Sequence, residues 1–164
     1  TCLGKVVGGG LPVGVYSGRA DVMAQISPLG PVYQAGTLSG NPLATAAGLK
    51  TIDILSRPGV FERAERAASQ LADGLRLLIA ELGIDASVEQ VGTMMTLFFA
   101  KSVPTNFEEV AQCDHDKFGR FHRAMLDGGI YLPPSGYEAW FVSAAHTEAE
   151  VEATLKIARS ALLS

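Results

Sequence analysis

The sequence lacks most features that would place it outside the ordinary globular proteins. It has two cysteines, Cys2 and Cys113, near opposite parts of the chain, which excludes a disulfide framework and a cysteine zinc knuckle. No apolar run reaches the roughly 18 residues of a membrane span. Basic residues number 13 against 17 acidic ones, so the basic excess of nucleic-acid-binding modules is missing. We therefore expect no nucleic-acid or membrane partner, and the scarcity of cysteine favours the reducing cytosol.

The sequence also lacks an initiator methionine, and its first residues already resemble the inside of a fold. This start indicates a fragment, and it hides any targeting segment, so a plastid location stays open beside a cytoplasmic one. What is present can bury a core, because 48% of the residues are hydrophobic and 18% are charged.

Two regions differ in composition. Residues 1–57 are rich in glycine and proline and resemble the edge of a larger domain, whereas residues 58–164 predict a compact α+β unit with its own core. In the first region, the patterns predict a short strand within 11–17, a short helix over 19–25 and an irregular loop over 27–42. A helix then follows, with an asparagine as its N-cap and a proline at its first position.

The second region alternates helical and strand patterns. A long amphipathic helix is expected over 60–82, and its predicted inner stripe contains Phe61, Ala64, Ala68, Leu71, Leu75, Leu78 and Leu82. Further along, we expect two strands over 88–100 broken at Gly92, one or two helices over 106–128, strands at 130–134 and 140–143, and a last helix that begins at a Thr147–Glu150 capping box.

Lys5 is the first candidate for chemistry. It lies among apolar residues, and if these desolvate its amine they lower its pKa, which suits a lysine that reacts as a nucleophile. The local pattern equally fits a lysine near a strand end whose amine reaches water. Both interpretations stay open on local pattern alone.

The loop 33–42 is the second candidate, since it runs into a helix N-terminus. Free backbone N–H groups there, together with the hydroxyls of Thr37 and Ser39, could hold a phosphate, or the loop could serve only as a cap. Glu138, in a turn dense in proline and aromatic residues, is either functional or a solvated turn residue. His115 and His122 are expected to face water, and no spacing among the histidines resembles a zinc site.

Several strings together carry a family resemblance. Leu3-Gly-Lys5 followed by three glycines, and the later Gly36-Thr37 with Gly40-Asn41-Pro42, resemble the lysine and phosphate-loop segments of the class III (subgroup II) aminotransferases. Further matches at 118–126, 129–135 and 145–147 extend the resemblance over all 164 residues. The fuller string is similar to the aminomutase branch of that class, and it corresponds to roughly the C-terminal two-fifths of a usual member.

The resemblance implies an α/β fold, namely the C-terminal part of a fold type I pyridoxal-phosphate-dependent transferase. Residues 1–57 would be the end of the large cofactor-binding domain, and residues 58–164 the small α+β domain. By similarity, Lys5 is the lysine that holds pyridoxal 5'-phosphate as an imine and moves protons, and the family starts its reaction from the pyridoxamine 5'-phosphate form. Thr37, with Gly36, matches a phosphate contact that reaches across from a partner subunit.

The same resemblance implies that Tyr33 lines this shared site, that Glu138 is a carboxylate near cofactor and substrate, and that the enzyme is a homodimer without a metal. Ser39 and Asn41 are expected to be structural. The reaction implied is an isomerisation of a small molecule, glutamate 1-semialdehyde, to 5-aminolevulinate, a tetrapyrrole precursor.

The other cofactor contacts of the family precede its lysine, so we expect the isolated 164 residues to have little or no activity. Two alternatives stay open: another class III aminotransferase that acts on an ω-amine, and a non-catalytic C-terminal fragment.

Overall fold

The computed structural model describes residues 1–164 and divides them into two compact units, Thr1–Pro58 and Gly59–Ser164. This division falls one residue from the boundary expected after residue 57. None of the helices combines the length and the apolar character needed to cross a lipid bilayer.

The first unit has little regular structure. Strand β1 (Cys2–Leu3) pairs antiparallel with β2 (Val15–Tyr16), a 3₁₀ turn covers Lys5–Gly8, and two helices follow, α1 (Ala20–Met23) and α2 (Pro42–Leu55). The strand expected within 11–17 is therefore only two residues long. The loop before α2 is irregular, as its glycine and proline content predicts, and holds one bridge between Ile26 and Val32.

The second unit packs helices against a three-stranded antiparallel sheet. Its elements are α3 (Val60–Leu82), β3 (Ser87–Val91), β4 (Met94–Phe98), α4 (Phe107–Ala111), α5 (His115–Asp127), β5 (Trp140–Phe141) and α6 (Glu148–Ala161), and the strand order is β3-β4-β5. The expected break at Gly92 is confirmed: this glycine has φ +58° in the tight turn that pairs Val91 with Met94.

The core lies wholly in this second unit. One face of the sheet and the inner sides of α3, α5 and α6 contribute side chains such as Leu75, Leu97, Phe121 and Met125, all nearly inaccessible to water. The predicted inner stripe of α3 is correct over most of its length. It is wrong at Phe61, which is 47% exposed, because Phe61 lies in the first turn of α3 and the buried residues of this helix begin only at Ala64.

The strand predicted at 130–134 does not form. The Ile130 N–H donates to Met125 O at 2.9 Å, which continues the end of α5, and the following Pro133 and Pro134 have no N–H for a ladder. The strand predicted at 140–143 is confirmed only over β5.

The two histidines of α5 do not simply face water, as the sequence suggested. Both are half-buried and bonded to backbone carbonyls: Nε2 of His122 lies 3.2 Å from Leu132 O, and Nε2 of His115 lies 3.0 Å from Val110 O.

Helix ends follow the predicted signals. Asn41 caps α2, where its Oδ1 accepts the Ala44 N–H at 3.1 Å, so the structural role expected for Asn41 is confirmed. At α6, the Glu150 carboxylate accepts the Thr147 N–H at 2.7 Å as well as the Thr147 hydroxyl. Gly83 ends α3 with φ +63°, in the left-handed conformation that glycine adopts at such ends.

Candidate cofactor and substrate residues

Lys5 has an unusual backbone. Its φ is +55°, and no other non-glycine residue of the chain adopts a positive φ. A side chain in this region costs about 1–2 kcal/mol, because its Cβ approaches the following carbonyl oxygen. Such strained residues cluster at functional sites, where the surrounding structure holds them in place. The backbone therefore singles out the same lysine as the sequence.

Glycine contacts hold the turn that follows Lys5 against helix α2. A β-carbon built at Gly48 of α2 would lie 2.5 Å from Val7 O, and one built at Gly9 would lie 2.9 Å from Ala47 O. At Gly9 the built β-carbon would also lie 2.5 Å from the Thr51 hydroxyl of α2, so neither glycine has room for a side chain, and at Gly48 the contact is one of backbone against backbone. The small residues at the start of α2, which the sequence suggested would allow close packing, permit it.

The Lys5 side chain reaches the surface of this chain, and the role of its amine stays a prediction. Lys5 is exposed, and its neighbours Leu3 and Val6 are also exposed, the latter at 69%. The Lys5 amine forms no ion pair with any carboxylate of the chain. It is thus free to react with or bind a group from outside these 164 residues.

The loop before α2 presents unused hydrogen-bond donors. Backbone N–H groups at Gly36 and Thr37 donate to no acceptor within the chain, and the Thr37 hydroxyl is likewise unbonded. Ser39 has a structural contact, as expected, because its N–H donates to Gly36 O at 2.9 Å. Tyr33 is 82% exposed at the start of the same loop. Such a loop, directly before a helix N-terminus, can accept an anion.

A cleft of about 730 Å³ lies in the first unit between this loop, residues 12–15 and one side of α2. Val7, Gly36 and Gly48 are among its lining residues, whereas Lys5, Tyr33 and Thr37 are not. The cleft therefore adjoins the candidate residues, but their side chains do not converge in it.

Glu138 lies in the second unit, at the end of a tight turn. Its N–H donates to Ser135 O at 3.1 Å, and the Tyr137 N–H lies 3.2 Å from Ser135 Oγ. The Glu138 side chain is exposed and its carboxylate makes no hydrogen bond within the chain. A rigid turn that ends in a free carboxylate can bind a cationic amino group.

The turn is held by aromatic contacts that the sequence did not indicate. The ring of Tyr137 stacks on the ring of His115 with centroids 4.5 Å apart, and on Phe107 at 5.8 Å. Sequence reasoning missed these partners because they lie more than 20 residues upstream. The signal available was only the aromatic content of the turn itself.

No three histidine, cysteine, aspartate or glutamate side chains are grouped so that they could ligate a metal ion. A second cleft, of about 320 Å³, lies in the second unit beside Trp140 and the start of α6. None of residues 135–138 of the Glu138 turn line this cleft.

Known proteins similar to this chain point to one family. The pattern of the family described as Aminotransferase class-III matches residues 1–158. The chain is 53% identical over 162 residues to the glutamate-1-semialdehyde 2,1-aminomutase of Desulfatibacillum aliphaticivorans, and 54% identical over 162 residues to that of Thermomicrobium roseum. In both cases the match covers 99% of this chain and 38% of the relative. The chain thus spans about two-fifths of the length of these curated relatives.

Solved structures agree in fold. An omega-transaminase from Sphaerobacter thermophilus superimposes with a TM-score of 0.83 at 28% identity, over 99% of this chain and 37% of that one. A glutamate-1-semialdehyde-aminomutase from Pseudomonas aeruginosa PAO1, in complex with PMP, gives a TM-score of 0.84 at 23% identity, over 98% and 38% of the two chains, and supports the fold alone. The fold is that of the C-terminal part of a pyridoxal-phosphate-dependent transaminase. Residues 1–164 belong to the class III aminotransferase family.

Proposed function

We propose that this chain is the C-terminal part of a glutamate-1-semialdehyde 2,1-aminomutase, an isomerase, and that Lys5 is its cofactor lysine. The observation that carries the proposal is the strained backbone of Lys5, which lies in a chain 52–54% identical to relatives of that name. A cost of about 1–2 kcal/mol at a solvent-exposed lysine is hard to explain by packing.

The residues present fit the cofactor of this family, pyridoxal 5'-phosphate, or pyridoxamine 5'-phosphate in its amine form. Lys5 offers an accessible amine without an ionic partner, and the loop at Gly36 and Thr37 offers free N–H groups and a free hydroxyl. Lys5 would carry the cofactor covalently, and Thr37 with Gly36 would bind the phosphate. When bound, the cofactor supplies an electron sink that stabilises negative charge on the carbon bearing the amino group.

The residues of this chain then have separate tasks. The Lys5 amine, when free, would take a proton from one substrate carbon and return it elsewhere, as acid and base. Glu138, exposed at the end of its turn, would bind the cationic amino group of the substrate. Tyr33 would line the wall of the site. The net reaction moves one amino group between neighbouring carbons of glutamate 1-semialdehyde and yields 5-aminolevulinate, so no second substrate is consumed.

We also propose the setting in which the enzyme works. It would be a cytoplasmic homodimer that supplies tetrapyrrole biosynthesis, and Thr37 would complete the site of the partner subunit. The 164 residues alone would be inactive or nearly so, because the relatives they match are more than twice as long.

A chimeric protein tests the proposal. Residues 1–164 replace the matching 38% of the Desulfatibacillum aliphaticivorans aminomutase, and formation of 5-aminolevulinate is measured beside the parent enzyme. We expect activity in the chimera, and a loss of about a thousandfold with Lys5→Ala, since the acid–base group is gone. Lys50→Ala is the matched control, because Lys50 is an exposed lysine of the same unit that pairs with Asp53. A fully active Lys5→Ala chimera would overturn the assignment.

The second candidate is an ω-aminotransferase, because the Sphaerobacter omega-transaminase is 28% identical to this chain, against 23% for the Pseudomonas aeruginosa enzyme, at nearly the same TM-score. Supplying an amine donor and an oxo acid to the chimera separates the two, because an aminomutase turns over without either. For the isolated chain, an absorption band that appears with pyridoxal phosphate and disappears with Lys5→Ala would argue against an inert fragment.

A further inference from the structure

A three-ring stack lies on the surface of the second unit beside the Glu138 turn. Tyr137 contributes the ring that both others contact: the His115 ring is nearly parallel to it, at 13°, and the Phe107 ring is inclined by 27°. Tyr137 and Phe107 remain largely exposed, and none of the three rings belongs to the hydrophobic core. Core formation therefore does not explain the arrangement.

The backbone of the turn, as well as the ring of Tyr137, packs against the His115 imidazole. A β-carbon at Gly136 would lie 3.1 Å from His115 Nδ1 and 3.4 Å from the Phe118 ring. Contacts this tight are rare for real side chains, so the absence of a side chain at Gly136 lets the turn lie against the imidazole. The two hydrogen bonds to Ser135 then fix the geometry up to Glu138.

His115 is itself fixed from the other side. Its Nε2 lies 3.0 Å from Val110 O in α4, and because a carbonyl only accepts, Nε2 carries the proton. His115 is also the first residue of α5, whose N-cap Asp114 accepts the Lys117 N–H at 2.8 Å. The imidazole thus joins α4, the start of α5 and the turn.

We propose that His115 is a positioning residue for Glu138: the imidazole, anchored on Val110 O and stacked on Tyr137, holds the backbone of the turn in one conformation up to the residue that carries the carboxylate. The consequence for turnover rests on the proposed function, whereas the ordering of the turn does not. Stacked aromatic pairs contribute beyond their buried area, so one ring suffices to bias a four-residue turn.

The first test uses the 164-residue chain labelled with ¹⁵N. With His115→Ala, we expect the amide order parameters of Tyr137 and Glu138 to fall from about 0.85 to below about 0.6, the range of flexible backbone. His115→Phe, which keeps a flat ring for Tyr137, should restore most of the order. Tyr131→Ala, at an exposed tyrosine of the same unit outside the stack, is the matched control and should change neither value.

Order parameters in the core strand β4 serve as a control for a general loss of order in the second unit. If His115 only positions the turn, the order parameters of β4 stay unchanged in His115→Ala. Unaltered order at Glu138 in His115→Ala would overturn the proposal. Equal loss of order in β4 would also overturn it, since His115 would then be a general structural residue.

The second test is a double-mutant cycle in the active chimera. If His115 acts through Glu138, His115→Ala lowers kcat in the parent chimera, by roughly tenfold, but adds nothing in a Glu138→Gln background. Additive losses would contradict the proposal. A chimera whose activity ignores Glu138→Gln would instead remove the role proposed for Glu138, while the order-parameter result for the turn would stand or fall on its own.

Discussion

The two units of the chain are held together in different ways. In Gly59–Ser164, more than twenty side chains from three helices, a sheet and the segments that connect them form one buried cluster. In Thr1–Pro58, the sole buried hydrophobic residue is Ala44, and large apolar side chains such as Leu29 and Leu43 are mostly exposed. The first unit keeps its form through glycine contacts, a short β-ladder and a helix cap.

The unit that contains the buried core is therefore not the unit that contains most of the candidate cofactor residues. The strained lysine and the loop with free donors lie in the unit without a core, whereas the unit with a core contributes one exposed turn to the candidate residues. These apolar side chains are exposed in a chain that spans about two-fifths of the length of the relatives it matches. Four predictions test this difference in stability between the two units.

The largest effect is expected from separating the units. Residues 59–164 produced alone should unfold in one cooperative transition on heating, because the complete core is retained. Residues 1–58 alone should show none, since they bury almost no apolar surface. Circular dichroism with temperature measures both, and the intact chain is the control. A cooperative transition in residues 1–58 would break the comparison.

The next largest effect is expected in the core. Phe121 is 1% exposed and stacks against Trp140, so Phe121→Ala should lower the free energy of unfolding by about 3–5 kcal/mol. Phe141→Ala, at a 68% exposed phenylalanine, and Leu43→Ala in the first unit should each change it by less than about 0.5 kcal/mol. Urea denaturation measures all three. A large loss at Leu43 would reveal a core in the first unit.

Helix caps provide a smaller and more direct comparison, because each unit has one of the same kind. Asp114→Ala removes the cap of α5 and should cost about 1 kcal/mol in unfolding free energy. Asn41→Ala removes the equivalent contact of α2, yet it should leave the urea midpoint unchanged, since α2 is outside the cooperative core. Equal shifts in the midpoint would mean that the two units unfold together.

The smallest effect is a pH dependence at α6. Two hydrogen bonds hold the pKa of the Glu150 carboxyl below its ordinary value: the one from the Thr147 hydroxyl has the larger effect, and the one from the Thr147 N–H the smaller. A pKa that is lower in the folded state adds stability above the ordinary value, and that stability is lost as pH falls through the folded pKa. The Glu150→Gln variant should therefore differ from the parent at neutral pH and converge with it in acid. Glu152→Gln, on the same helix, is the control for a simple change of charge. A difference from the parent that stays constant down to pH 2 would contradict this.

Much of the fold could be predicted because local signals and packing agree. The stripe of α3, the break at Gly92 and the start of α6 depend on nearby residues, and the structure has all three. Predictions failed where distant contacts decide. The strand expected near Leu132 is replaced by a loop whose carbonyl accepts from His122, and Phe61 is half-exposed because the core does not reach the first turn of α3.

The candidate site divides in the same way. Lys5, Gly36 and Thr37 were identified from sequence motifs that resemble those of the family. The assignment of Lys5 to the cofactor stays a prediction, and the positive φ of its backbone supports it independently of the motifs. The contribution of His115 could not be predicted, because only the folded chain brings it against Tyr137. Sequence spacing carries no information about a contact made between a helix end and a turn 20 residues later.

The glycine contact behind Lys5 limits how this segment can evolve. Because a β-carbon at Gly9 or at Gly48 would lie less than 3.0 Å from a facing carbonyl oxygen, trimming a neighbouring side chain cannot make room for a substitution at either. Selection can redesign the surface of α2, yet it cannot adjust the spacing between α2 and the turn in steps of one methyl group. Any change in that spacing therefore has to move the backbone itself, and with it the turn that follows Lys5.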